Sequence, residues 1–104
     1  MITVNVLYRN TDSLKFKMDY YLNTHIPLIS KLLGSALKGA MVQHGISGGT
    51  PGSKAEYLVI TQLKFDSVES FQGAFLPHAE TVMGDLPNFC SEQPTIQISD
   101  VRLG

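Results

Sequence analysis

Four side chains stand out for chemistry: Tyr21, His25, His78 and Asp85. His25 is the first, because an imidazole titrates near neutral pH and works as a general base or acid when a partly dry cavity tunes it. Leu14, Met18, Tyr21, Leu22, His25, Ile29, Leu32 and Leu33 recur at spacings of three and four, one apolar stripe of a helix holding one imidazole and one phenol. His25 therefore points inward. There it needs a hydrogen-bond partner or a polar cavity, because an unpaired buried polar group costs about 1 to 3 kcal/mol. A core histidine bonded to a backbone carbonyl satisfies the same pattern. Tyr21, one turn earlier, reaches the same wall and would orient a phenolic or carbonyl substrate, or else serve as a core aromatic.

His78 and Asp85 are two helical turns apart and share a face if Gly84 leaves the helix unbroken. That separation rises about 10.5 Å, too far for a direct bond, so the two would flank a common pocket. Read otherwise, His78 is an exposed first-turn residue and Asp85 a turn former ahead of Leu86-Pro87. An Asp85–His25 contact would make an orienter and a base, but local sequence does not bring them together. His44, in a strand, reads as a sheet histidine. No short regular ligand spacing marks a metal site. The Gly48-Gly49 and Pro51-Gly52 pairs match neither a Walker pattern nor Gly-x-Gly-x-x-Gly, so no cofactor is expected and a self-contained hydride-transferring reductase is disfavoured. Cys90 lacks a basic neighbour in sequence and reads as a structural thiol.

These residues need a scaffold. Ile2, Val4, Val6 and Tyr8 alternate with Thr3 and Asn5 in a first strand. Asp12 or Ser13 offers an N-cap for the helix, which Pro27 should kink or break by crowding the Asn23 carbonyl, and which ends near Gly34. Leu37 to Ile46 reads as a second strand, Ser47 to Ser53 as a turn or mobile loop, and Ala55 to Phe65 as a third strand. Asp66 or Ser67 caps a second helix with Val68, Phe71 and Phe75 inward. Pro77 interrupts it, a short helix restarts through His78, Val82 and Asp85, and Thr95 to Leu103 forms a fourth strand.

Strand, helix, strand, strand, helix, strand is the βαββαβ order of the ferredoxin-like α+β fold, with both helices on one face of a four-stranded antiparallel sheet. Tyr57, Val59, Thr61 and Leu63 lie on one face of the third strand, Leu58 and Ile60 on the other, so the helix-free face should carry an apolar patch. A second copy is its simplest cover. A homodimer closed as an α+β barrel is therefore expected, with a ligand cavity between each sheet and its helices.

The chain has 104 residues, 43% of them hydrophobic, and a formal charge of -1, so it reads as one domain. It is too evenly charged for nucleic acid or anionic membranes to be expected partners. Ile2 to Tyr8 is too short for a signal peptide or a membrane span, and a lone cysteine suits a reducing compartment, so a cytoplasmic protein is expected.

A set of ordered motifs carries a resemblance across nearly the whole chain. Asp19-Tyr20-Tyr21-x-x-x-His25-x-Pro27-Leu28, Leu37-Lys38-Gly39, the glycine loop, Phe65-Asp66-Ser67-Val68-Glu69-x-Phe71, Pro77-His78-Ala79 and Pro94-x-Ile96-Gln97-x-Ser99 together resemble the EthD family. The resemblance implies the ferredoxin-like dimeric barrel. The family takes its name from a protein of ether degradation, and similar domains are described as reductases, decarboxylases or dehydratases of polyketide-like aromatics. Related barrels include cofactor-free oxygenases and lactone isomerases, so fold analogy spreads over several reactions. The motifs carry family histidines onto His25 and His78. Two readings follow: a small cofactor-independent enzyme in which His25 moves a proton on an apolar or aromatic oxygenated molecule, and a non-catalytic binding or carrier module.

Overall fold

The computed structural model describes all residues, Met1–Gly104. β1 (Ile2–Arg9) is followed by a helical run in three pieces: an α turn, α1 (Met18–Tyr20), a π-helical turn (Tyr21–His25) and α2 (Ile26–Leu33). Then come β2 (Gly39–His44), β3 (Tyr57–Phe65), α3 (Val68–Phe75), α4 (Ala79–Gly84) and β4 (Thr95–Asp100). The four strands are antiparallel in the order β2-β3-β1-β4, the ferredoxin-like α+β arrangement that the alternation predicts.

Register assigns the faces. Val4 sits opposite Leu63 and Ile98, and Val6 opposite Thr61 and Ile96, so these side chains share the helix-covered face. Ile2, Val4, Leu63 and Phe65 pack there against Ile29, Leu33 and Val82, while Tyr8 and Val59 pack against Tyr21, Leu86 and Phe89. The helix-free face carries Thr3, Asn5, Gln62 and Lys64 at one end and Leu7, Leu58 and Ile60 at the other. Its apolar part is confined to that second end and to Met41.

The first helix begins later than its apolar spacing suggests. Leu14 lies outside it, and Lys17, not Asp12 or Ser13, stands at the N-cap without a side-chain bond. Residues 15–17 instead run extended beside 89–91: Phe16 bridges Cys90, Lys17 N–H donates to the Phe89 carbonyl at 2.8 Å, and Ser91 N–H donates to the Lys15 carbonyl at 3.1 Å. Thr11 and Ser13 hydroxyls are spent on Glu92. A cross-chain clamp thus outcompetes a local cap.

Pro27 acts where the sequence places it, with a different relief. It has no N–H for the Asn23 carbonyl, and the turn ahead of it widens so that Ile26 N–H donates to the Tyr21 carbonyl five residues back. Pro27 itself falls in the first turn of α2, where no N–H is needed. The wider turn absorbs one extra residue, which keeps Tyr21, His25, Ile29 and Leu33 buried on one line while Leu22, expected inside, is 45% exposed. α2 ends at Gly34, whose φ of 58° is open to glycine and strained for other residues.

The second helical region follows its punctuation. Ser67 caps α3 by accepting from Ser70 N–H at 3.0 Å. Leu76–His78 forms one 3-10 turn at Pro77, α4 restarts after it, and Leu86–Asn88 forms another. The shifted helix phase has a direct consequence for stability. In denaturant unfolding Leu22→Ala should fall within about 0.5 kcal/mol of wild type, whereas Ile29→Ala should cost about 2 to 5 kcal/mol.

Candidate functional site

His25 and Asp85 meet across the fold. His25 Nδ1 lies 2.8 Å from Asp85 Oδ2. The other oxygen, Oδ1, accepts from the Tyr20 hydroxyl at 2.7 Å and from Asn88 Nδ2 at 2.9 Å. Three elements position this group: the π turn, the clamp of residues 15–17 on 89–91, and the 3-10 turn Leu86–Asn88. Tyr20 and His25 are five residues apart, which in an α-helix would set them about 140° apart. The wider π turn reduces that angle, so both reach one carboxylate.

The imidazole is 4% exposed and lies between two rings. Tyr21 stacks on it at 5.4 Å and 21°, and Phe89 tilts against it at 4.3 Å. Desolvation pushes the His25 pKa below its ordinary value, outweighing the lift from Asp85. Desolvation would raise Asp85, but donation from Tyr20, Asn88 and His25 prevails and holds it below the usual carboxylate range. At neutral pH the pair is therefore a carboxylate accepting Nδ1–H from a neutral imidazole, which leaves the lone pair on Nε2. Nε2 has no partner within the chain, and no sealed side-chain nitrogen or oxygen lacks one, so Nε2 is accessible.

His25 lines a cavity of about 370 Å³ between sheet and helices, within the size range of small-molecule sites. Of its 18 lining residues 15 are hydrophobic. Its wall includes Tyr21 and Thr61, whose hydroxyls are 2.6 Å apart. The rim includes Ile96, 51% exposed although it sits on the helix-side face of β4.

The four candidates from sequence divide accordingly. His25 and Tyr21 stand in the cavity wall, and Asp85 stands behind His25, bonded to it. His78 ends the 3-10 turn at Pro77, half-buried and outside the cavity lining. Tyr20 and Asn88, which sequence reasoning passed over, complete the Asp85 shell. Tyr20 stood inside the Asp19-Tyr20-Tyr21 run, but its partner is far along the chain, and only the π turn aims it. No three His, Cys, Asp or Glu side chains converge on one point.

The two depressed pKa values make stability fall on acidification, because the unfolded chain binds protons more readily than the folded one. The contribution of His25 is whole above its ordinary value of 6.5 and drains below it, and that of Asp85 drains below 3.8. Thermal melts should show Tm falling as the pH drops below about 6.5. His25→Gln should flatten this upper stage and leave an acid stage below it.

The EthD domain profile matches residues 13–93. Among solved structures, an EthD-like protein from Ralstonia eutropha JMP134 is 32% identical, with a TM-score of 0.93 over 98% of this chain and 92% of its own. An ethyl tert-butyl ether degradation (EthD) family protein from Bacillus halodurans C-125 shares the fold at 23% identity, with a TM-score of 0.74 over 97% of this chain and 98% of its own. HapK from Hahella chejuensis shares it at 11% identity, with a TM-score of 0.61 over 100% and 96%. No protein of curated function matches. A profile spanning the helical site with β2 and β3, together with a relative matched nearly end to end, leads to one conclusion: the chain belongs to the EthD family.

Proposed function

We propose that this protein is a small acid–base enzyme in which His25 takes a proton, through Nε2, from an apolar or aromatic oxygenated small molecule held in the cavity. The observation that carries the reading is the pairing of a buried, neutral imidazole with a pinned carboxylate at the wall of an apolar cavity. Asp85 orients the ring, fixes its tautomer and stabilises the imidazolium that proton transfer creates. Tyr20 and Asn88 act through Asp85. Such transfer needs no nucleotide, in keeping with the missing nucleotide fingerprints. It serves a degradation, decarboxylation, dehydration or oxidoreduction, according to the substrate.

The second reading is a binding or carrier module, favoured by a wall so largely apolar that it would shelter a reactive ligand without acting on it. His78, beyond the cavity lining, would on either reading take part only through a substrate that reaches past the cavity. A lone buried thiol, Cys90, suits the reducing cytoplasm. Leu7, Leu58 and Ile60 on the helix-free face support a homodimer as the working assembly.

The deciding experiment screens aromatic keto and phenolic compounds by thermal shift and then by mass change. His25→Gln keeps some hydrogen bonding but cannot titrate near neutral pH. It should leave the fold intact and lower turnover by about 10² to 10⁴. Unaltered turnover in a well-folded variant would remove His25 from the mechanism, and ligand binding without turnover in wild type would favour the carrier. Light scattering in dilute neutral buffer should give twice 11.4 kDa, and a strict monomer would sink the dimer.

A further inference from the structure

Three hydroxyl-bearing residues of the cavity wall have no part in the proton transfer just described. Tyr21 and Thr61, each 1% exposed, bond to one another at 2.6 Å, and Tyr8 stands beside them with its ring centroid 5.8 Å from that of Tyr21. All three residues line the cavity. Tyr21 and Thr61 carry two hydroxyl protons, and the bond between them uses one, whichever donates. Adding Tyr8 in a row gives three protons for at most two internal bonds. One O–H is therefore always left without an acceptor inside the cluster. The Tyr21–Thr61 bond is the only good-geometry hydrogen bond that these hydroxyls make within the chain. The Tyr8 hydroxyl lies within reach of the Tyr21 hydroxyl but makes no good-geometry bond, and it is not sealed from solvent-sized space. Burial raises the pKa of both phenols, so they keep their protons.

We propose that the Tyr21–Thr61 pair, with Tyr8, is a carbonyl-binding station, and that the cavity takes a neutral, largely apolar ketone with an enolisable hydrogen. The Tyr21 ring is stacked on the His25 imidazole, so donor station and base occupy adjoining parts of one wall. The ligand is neutral because no Lys, Arg, Asp or Glu lines the cavity, and a charged group taken in there would lose its water without gaining a counter-ion. The proposal rests on His25 acting as base. Nε2 takes the α-hydrogen as a proton, and the C–H electron pair becomes the carbon–carbon double bond of an enolate. The oxygen of that enolate gains negative charge and tightens its hydrogen bond to the spare O–H. The imidazolium then returns a proton to carbon, and nothing is oxidised or reduced.

2-Tetralone and tetralin, nearly equal in size and differing in the carbonyl, test the station by titration of the intact protein. Wild type should prefer the ketone by about tenfold, the scale of one hydrogen bond in a desolvated site. The Thr61→Val/Tyr21→Phe double variant, which removes both partners together, should cut that preference by at least about threefold and leave tetralin affinity unchanged. Tyr8→Phe breaks no good-geometry hydrogen bond within the chain, should shift the preference in the same direction, and decides the matter if the double variant does not fold. Equal affinities in wild type, a preference that survives these variants, or binding of neither molecule overturns the proposal. Proton NMR in D2O follows exchange of the α-hydrogens in parallel. Exchange lost in His25→Gln with the ketone preference kept supports station and base together. Exchange unchanged in His25→Gln with the preference kept overturns the base alone and leaves the station standing.

Discussion

The carboxylate of Asp85 ties the first helical region to the turn that follows α4. An ionised group taken out of water costs several kcal/mol unless its oxygens are well met, and here three donors meet them: Tyr20, Asn88 and His25. The donors come from two pieces of backbone, and a third holds those two together. The π turn brings Tyr20 and His25 to the same side, the 3-10 turn after α4 brings Asn88, and the bridge between Phe16 and Cys90 holds the two stretches side by side. Removing any one support would leave part of the charge unmet, so the site and the packing of this end of the molecule stand or fall together.

Local signals carried most of the architecture. Strand alternation is a property of neighbouring residues, and so are the Ser67 cap, the break at Pro77 and the glycine at the end of α2. All of them appear where the chain spells them, though the second, third and fourth strands are shorter than the alternation suggests, running Gly39–His44, Tyr57–Phe65 and Thr95–Asp100. The helix start did not, because the bridge of residues 15–17 to 89–91 is a pairing between distant segments that no window around Ser13 contains. Leu22 shows the same limit from another side. Spacings of three and four assume one helical pitch throughout, and a single π turn shifts the phase enough to turn Leu22 outward while Tyr21 and His25 stay in.

The site was legible one residue at a time. A histidine in an apolar stripe followed by Pro27 draws notice from sequence alone, and so does an Asp at the end of a short helix. Their contact does not, nor do the roles of Tyr20 and Asn88, because each depends on where the chain returns after the whole sheet is built. The π turn is where the local and the distant meet. Pro27 takes a donor away from the helix, the backbone answers by widening, and the widening aims Tyr20 and His25 at a carboxylate that arrives from the far end of the chain.

Dryness then has two effects on one side chain. Most of the cavity wall is apolar, and the Tyr21 and Phe89 rings close over the imidazole, so a proton on His25 is poorly solvated and its pKa falls. A base with a lowered pKa is a weaker base, but it is one whose lone pair is free at neutral pH. Asp85 offsets part of the weakening, because it favours the imidazolium through Nδ1. The Tyr21 and Thr61 hydroxyls add a polar spot to that wall without adding charge. Along β4 the helices leave the inner face open, with Ile96 and Ile98 51% and 42% exposed, so the cavity has an apolar mouth. An apolar molecule entering there would cover surface that the fold leaves bare, so on the proposed reading the hydrophobic effect that builds the core would also draw a ligand toward His25.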